Sequence, residues 1–166
     1  MKERGHPKPK VYKRIDGNTC EISRLETNPG LKEHLCHTEE GETFELDGIS
    51  LTPVNTPGHL SDHLCFLMNE GGKYSLFTGD HIIGASSTFF MDYPQYFKSL
   101  VKTKNIIYEK NIEKLYGAHT VSLYHKDVAI DAKKKVDEYI DRRSKKDREL
   151  EKLADHLSKQ GTFSIE

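Results

Sequence analysis

Hydrophobic and polar positions alternate along much of residues 43–78, which is typical of half-buried strands. The alternation predicts strands at residues 43–46 and 49–54, joined by a hairpin turn at Asp47 and Gly48. A continuous apolar run at residues 64–68 predicts a buried strand, and residues 74–78 predict another strand after a glycine turn. The first half of the chain is therefore predicted to be a series of strands, preceded by a loop or an extended arm of about 15 residues.

Helical spacing replaces this alternation in the second half of the chain. One amphipathic helix is predicted from apolar positions three and four residues apart, with Phe97 in the core; its stripe is Phe97, Leu100, Val101 and Lys104. A short strand is predicted at residues 114–116. A long helix with a densely charged outer face is predicted from Val128 through Arg143 and on to Leu157. This order of elements predicts an α/β fold with a mixed sheet.

Composition narrows the classes of function. The 166 residues suit one domain or part of one, and a net charge of −1 gives no whole-molecule attraction to nucleic acid or to an anionic membrane. No apolar run is long enough to span a bilayer, and residues 1–7 lack the apolar stretch of a secretory signal. Three cysteines without C-x-x-C spacing favour a reducing, intracellular compartment.

Three polar residues occupy equivalent positions at the ends of predicted strands. His59, Asp80 and His119 each lie in a loop that contains glycine and follows a strand. Loops at one edge of a sheet converge, and two imidazoles with one carboxylate suit zinc. The intervals between them are long, so spacing alone is weak evidence for a metal site. The alternative is that they are ordinary loop residues, with Asp80 capping a turn and the histidines hydrogen-bonded or exposed.

Three ordered motifs resemble those of the metallo-β-lactamase superfamily. They are Thr-Pro-Gly-His at residues 56–59, Thr-Gly-Asp-His-Ile-Ile-Gly at residues 78–84 and Tyr-Gly-Ala-His at residues 116–119. The nearest similarity is to the β-lactamase-like protein 2 group, mitochondrial endoribonucleases of this fold. That group also has an acidic and aromatic stretch like residues 91–100, and a long charged helix after the last motif histidine. The resemblance covers roughly residues 40 to 150.

The resemblance implies an αββα sandwich with two zinc ions at one edge. By analogy, His59 ligates the first zinc, Asp80 bridges both ions and His119 ligates the second, with Asp80 and His59 central to catalysis. Two such ions turn a bridging water into hydroxide and stabilise the leaving oxygen of a phosphodiester. Asp62 and His63 would surround the ligands and orient them or close the pocket. His81 would at most lie among these surrounding residues and would not bind the metal itself.

The sequence also departs from the family pattern. The H-x-H-x-D-H motif that supplies further zinc ligands is absent, so each zinc would keep one histidine and the shared carboxylate, where three protein ligands are expected. Thr120 also replaces the glycine that usually follows the last motif histidine. These departures predict a truncated form: an arm with partial strands at residues 1–42, the C-terminal portion of the metallo-β-lactamase core at 43–125, and a charged helix at 126–166.

The resemblance predicts a zinc-dependent hydrolase, an endoribonuclease that cleaves single-stranded RNA in the complete protein, with an incomplete metal site in this chain. The alternatives are a thioester hydrolase like glyoxalase II and a non-catalytic remnant or binding module, and activity of this chain is left open. A partial sandwich exposes one sheet face, which predicts oligomerisation or aggregation. The expected location is the mitochondrial matrix by resemblance, and otherwise the cytosol.

Overall fold

The structure, a computed structural model, describes residues 10–13, 35–83, 88–119 and 130–159. Two short strands, β1 (Val11–Lys13) and β2 (Leu35–His37), pair in parallel. The strand β1 lies within the predicted N-terminal arm with partial strands, and its backbone pairs with β2. Residues 1–9 and 14–34 of that predicted arm and the position of Val128 lie outside the described residues.

The main sheet has six strands in sequence order, β3-β4-β5-β6-β7-β8. Their bounds are β3 (Phe44–Leu46), β4 (Ile49–Asn55), β5 (Leu64–Glu70), β6 (Lys73–Gly79), β7 (Lys114–Gly117) and β8 (Ile130–Asp131). Neighbours are antiparallel except β6 and β7, which pair in parallel. Helix α1 (Tyr93–Glu109) lies between β6 and β7 in the chain, and helix α2 (Ala132–Lys159) follows β8. The predicted α/β fold with a mixed sheet and a long C-terminal helix is confirmed.

One face of the main sheet carries the core. Alternate strand residues, Val54, Cys65, Leu76 and Leu115, point to this face and are buried. They pack with the buried faces of both helices, which contribute Tyr96, Leu100 and Ile107 from α1 and Ala132, Val136 and Tyr139 from α2. Burying side chains of this size contributes about 1.5–3 kcal/mol each to stability. The apolar residues of the strands and those of the helices thus form one shared core layer.

The buried face of α1 differs from the predicted stripe. Its buried residues are Tyr96, Ser99, Leu100, Thr103 and Ile107. Val101 is 40% exposed and Phe97 is only half-buried, outside the core cluster, so their prediction as core residues was wrong. The reason is that Ser99 and Thr103 are buried because they hydrogen-bond to other segments, which hydrophobicity alone does not reveal.

Helix α1 begins directly against the loop at residues 56–59. Asp92 caps the helix, since its carboxylate accepts a hydrogen bond from the Gln95 backbone N–H at 3.0 Å. The backbone N–H groups of Met91 and Asp92 both donate to the Gly58 carbonyl, at 2.8 and 3.0 Å. Gly58 has φ +130°, and a Cβ there would lie 2.3 Å from the Tyr96 backbone. Only glycine permits this close approach.

The opposite face of the sheet is apolar and is not covered by either helix in the part of the chain that the structure describes. A groove of about 570 Å³ on this face is lined by Phe44, Leu46, Ile49, Leu51, Phe66, Met68 and Phe77. Leu46 is 73% exposed and Phe77 is 38% exposed, with the Phe77 ring stacked on Tyr116. We call these seven residues the bare face. Contiguous apolar surfaces of this kind mark interaction sites or aggregation liabilities.

Neither described helix has an apolar stretch long enough to cross a membrane.

Replacing Gly58 by alanine is expected to lower the free energy of unfolding by about 2–4 kcal/mol, because the added Cβ meets the α1 backbone and φ is unfavourable. Gly71→Ala is the matched control: its φ is also positive, at +56°, but nothing lies within 4 Å of the added Cβ. Urea denaturation of both variants measures the difference. Equal losses in the two variants would contradict the close approach at Gly58.

The bare face is expected to drive self-association of the chain. Leu46→Ser with Phe77→Ser should shift the chain toward monomer in light scattering after size-exclusion chromatography, since burial of these side chains is what association gains. Val101→Ser, which removes an exposed apolar side chain from α1, should leave the mass unchanged. A wild-type chain that is monomeric and melts cooperatively would count against the prediction.

Candidate active site

Three loops meet at one edge of the main sheet. Strands β4, β6 and β7 run in the same direction, so their carboxyl ends lie together. His59 lies in the loop after β4, Asp80 follows β6 directly and His119 follows β7. The Ala118 backbone N–H donates to the Gly79 carbonyl at 2.8 Å, which fixes the last two loops against each other. Ligand sites in sheets with parallel strands occur at such carboxyl ends.

The Asp80 carboxylate lies between the two histidines. The Nε2 atom of His59 is 3.6 Å from Asp80 Oδ2, and the Nε2 atom of His119 is 3.2 Å from Asp80 Oδ1. The side chain of His59 is 18% exposed and that of His119 is 76% exposed. His119 has φ +57°, a conformation that costs a non-glycine residue about 1 kcal/mol or more. The structure thus brings together the three residues that the sequence analysis singled out.

The His59 ring is oriented by the backbone of another segment. Its Nδ1 atom lies 2.6 Å from the Phe89 carbonyl oxygen. Because a carbonyl only accepts hydrogen bonds, Nδ1 must be the donor. In the neutral ring, Nε2 therefore carries the lone pair, and this atom is the one that faces Asp80.

The loop after Asp80 is held by hydroxyl groups from both helices. The Tyr96 hydroxyl donates to the His81 carbonyl at 2.8 Å. The Tyr139 hydroxyl donates to the Ile83 carbonyl at 2.7 Å and accepts from the Ile83 backbone N–H at 3.1 Å. A Cβ on Gly117 would lie 2.4 Å from the Ile82 carbonyl oxygen, so β7 approaches this loop too closely for any side chain. The backbone beyond Asp80 is thereby fixed from two sides.

The other predicted site residues lie behind His59. Asp62 and His81 are buried, and His63 is half-buried. The His63 ring is 5.8 Å from that of His59 and 5.9 Å from that of His81, and its Nδ1 lies 2.8 Å from the Thr56 hydroxyl. His81 Nε2 lies 3.1 Å from the Thr103 hydroxyl.

Burial keeps His63 and His81 neutral. Desolvation, with a smaller contribution from neighbouring His59, lowers the pKa of His63 to about 4. Desolvation, with the neighbouring His63, lowers the pKa of His81 to about 3. Both rings are therefore uncharged near neutral pH and pack as polar core residues.

The nitrogen and oxygen atoms of His59, Asp80 and His119 are of types that bind metal ions, but they are too few to complete a metal site. Asp80 Oδ1 is buried and has no hydrogen-bond partner among the described residues, although His119 Nε2 lies 3.2 Å away. Such an acceptor suits a cation, and nitrogen with carboxylate oxygen suits zinc. Within the described ranges, however, no group of three or more histidine, cysteine, aspartate or glutamate side chains is arranged to hold a metal ion.

Sequence reasoning missed the residues that frame this site. Tyr96, in the aromatic stretch at residues 91–100, is fully buried, so its ring is not available to a substrate. Phe89 is 72% exposed instead, and its own carbonyl holds His59. No local pattern marked Phe89, because its position depends on how the segment before α1 folds over the loop at residues 56–59.

No family model matches the sequence. A β-lactamase-like protein 2 homologue of Caenorhabditis elegans is 34% identical over 121 residues, 73% of this chain and 37% of the relative. An atrochrysone carboxyl ACP thioesterase of Aspergillus fumigatus is 31% identical over 111 residues, 67% of this chain and 31% of the relative. The chain thus spans about a third of the length of these curated relatives.

Two solved structures share the fold. An archaeal metallo-β-lactamase superfamily protein from Sulfolobus tokodaii has a TM-score of 0.55 at 18% identity, covering 80% of this chain and 57% of that one. A metallo-β-lactamase family protein from Thermus thermophilus has a TM-score of 0.54 at 17% identity, covering 81% of this chain and 52% of that one. The fold and the sequence similarities together show that this chain belongs to the metallo-β-lactamase superfamily.

Proposed function

We propose that this chain carries part of the active site of a metal-dependent hydrolase, with His59, Asp80 and His119 as its contribution to the metal ligands. The observation that carries the proposal is the position of Asp80, whose two carboxylate oxygens face the two histidines at the carboxyl edge of the sheet. The Phe89 carbonyl supports it, because it leaves His59 Nε2 unprotonated on the side of Asp80. Metal-ligating histidines are held by a second hydrogen bond of this kind.

We propose single-stranded RNA as the substrate of the complete protein. The motifs and the long charged helix resemble those of the β-lactamase-like protein 2 group, and a homologue of that name aligns with 73% of this chain. The Phe89 side chain is exposed, and the backbone carbonyl of the same residue contacts His59, so its ring offers an unpaired base a flat surface for stacking. Stacking of this kind contributes about 1–3 kcal/mol per base and tolerates any base sequence.

Thioester hydrolysis is the second candidate. Thioesterases of fungal origin match this chain at similar identity and over similar lengths. The same exposed Phe89 suits an aromatic or apolar acyl group as well as a base.

A non-catalytic role is the third candidate, favoured by the number of ligands. Each of two ions would receive one histidine nitrogen and one oxygen of Asp80, whereas catalytic zinc sites use three protein ligands. On this alternative, the edge of the sheet with His59, Asp80 and His119 serves only to bind a partner.

The purified chain is expected to retain well under one zinc per molecule after dialysis, since two donors per ion do not bind zinc tightly. Excess Co²⁺ should nevertheless give weak visible absorption in the wild type. His59→Ala and Asp80→Asn should abolish that absorption, whereas His37→Ala, an exposed histidine paired with Glu39, should retain it. Absorption that survives His59→Ala would refute its place among the ligands.

With added Zn²⁺, the chain is expected to cleave a fluorescent single-stranded RNA slowly and to leave S-lactoylglutathione intact. Asp80→Asn should abolish the cleavage, because it removes the carboxylate shared by both histidines. Asp141→Asn, which alters an exposed carboxylate on α2 paired with Lys145, is the matched control. Turnover of the thioester alone would favour the second candidate, and turnover of neither would favour the non-catalytic one.

A further inference from the structure

Helix α2 places a buried cation beside the active-site edge of the sheet. Arg143 is only 6% exposed, and a charged side chain is rarely so buried unless it is paired. Its guanidinium carbon lies 4.9 Å from the centre of the Phe90 ring and 5.6 Å from that of Tyr96, and these two rings stack on each other. The aromatic rings therefore fix the direction in which the guanidinium points.

The guanidinium is bonded to the segment that holds His59. Arg143 Nη2 donates to the Thr88 carbonyl at 3.2 Å. The next residue is Phe89, whose carbonyl accepts from His59 Nδ1 at 2.6 Å. Thr88 also donates its hydroxyl hydrogen to that same Phe89 carbonyl, at 3.2 Å, and is itself buried. Arg143 and His59 are thus hydrogen-bonded to the carbonyls of two consecutive residues, Thr88 and Phe89.

The same segment is anchored at its other end by the site loop. Met91 and Asp92 donate their backbone N–H groups to the Gly58 carbonyl. Arg143 supplies the anchor on the Thr88 side, so the Phe89 carbonyl is fixed between two attachments. Removing the Arg143 attachment frees that carbonyl to rotate away from His59 Nδ1.

We propose that Arg143 is a positioning residue, which sets the Nδ1-protonated tautomer of His59 by holding the Thr88–Phe89 segment in place. This deepens the proposed function and rests on it in one respect: an Nε2 lone pair facing Asp80 matters only if that edge binds a metal ion. The tautomer itself is a property of the metal-free chain. A neutral histidine released from the Phe89 carbonyl reverts toward the Nε2-protonated form that free histidine favours.

The test is a nuclear magnetic resonance measurement of the ring nitrogens in the full, metal-free chain labelled with ¹⁵N-histidine, at a pH where histidine is neutral. The His59 signals are assigned by their loss in His59→Gln. In the wild type, Nδ1 should show the shift of a protonated nitrogen and Nε2 that of an unprotonated one. Arg143→Met should move both shifts toward the Nε2-protonated form.

Two variants separate positioning from general damage. Arg143→Lys keeps a donor that reaches the Thr88 carbonyl and should retain the wild-type shifts. Arg148→Met removes an exposed arginine from the same helix and should also retain them. Arg143→Gln has an amide too short for the same contact, and it replaces Arg143→Met in the comparison if the methionine variant does not fold by circular dichroism.

Unchanged His59 shifts in a folded Arg143→Met or Arg143→Gln variant would overturn the proposal. Because no metal is present, this outcome is independent of the cobalt and cleavage experiments. A tautomer shift in a chain that binds no Co²⁺ would uphold the role of Arg143 while the metal-dependent function fails. If the chain binds Co²⁺ through His59 but the Arg143 variants show no tautomer shift, the metal-dependent function is supported and the role of Arg143 is refuted.

Discussion

The parallel pairing of β6 with β7 is the constraint on which the site depends. An antiparallel partner would place the end of β7 at the far edge of the sheet, and His119 would lie a strand length away from Asp80. A parallel partner requires a crossover, and α1 lies in that connection. Burial of α1 against Leu76 and Leu115 therefore stabilises the same arrangement that brings Asp80 and His119 together.

The helices have a second role beyond covering the core. Tyr96 and Tyr139 extend from the core to the backbone just after Asp80, and Ser99 donates to the Pro57 carbonyl beside the His59 loop. Each contact satisfies a backbone group near the site that would otherwise be buried without a partner. The sheet edge that carries His59, Asp80 and His119 is thus held by polar groups on helices whose apolar faces pack in the core. Loops supported in this way keep their geometry without bound ligand.

Both faces of the main sheet carry apolar side chains, but only one of them is covered by the described helices. Val54 and Leu51 lie on neighbouring parts of β4, yet Val54 is buried beneath the helices while Leu51 lines the bare face. Each large apolar side chain left in water forgoes about 1.5–3 kcal/mol. A sheet that is apolar on both faces is typical of the inner layer of a multilayer fold.

Local chemistry was enough to predict strands β3 to β7 and the turn between β3 and β4 from the sequence. It did not locate the short strands β1 and β2, and it assigned the residues of β8 to the long helix. Asp47 and Gly48 have φ of +50° and +82°, as the predicted hairpin turn requires, and the alternation on either side fixes which residues share a face. The three motifs also marked His59, Asp80 and His119 by resemblance. The buried face of α1 was misplaced because Ser99 and Thr103 are buried for hydrogen bonds to partners more than 20 residues away.

Only the tertiary structure decided how the site is framed. The positions of Phe89 and Arg143 depend on a contact between residues 55 positions apart, and no periodicity records such a contact. Sequence patterns report a residue's preference for water or core and its local backbone conformation. These preferences identified most of the helices and strands, whereas His59, Asp80 and His119 were marked by the resemblance of their motifs. The pairing of the Phe89 carbonyl with the His59 ring nitrogen depends on how the helices pack on the sheet. Buried polar groups form hydrogen bonds with the partners that the fold brings within reach.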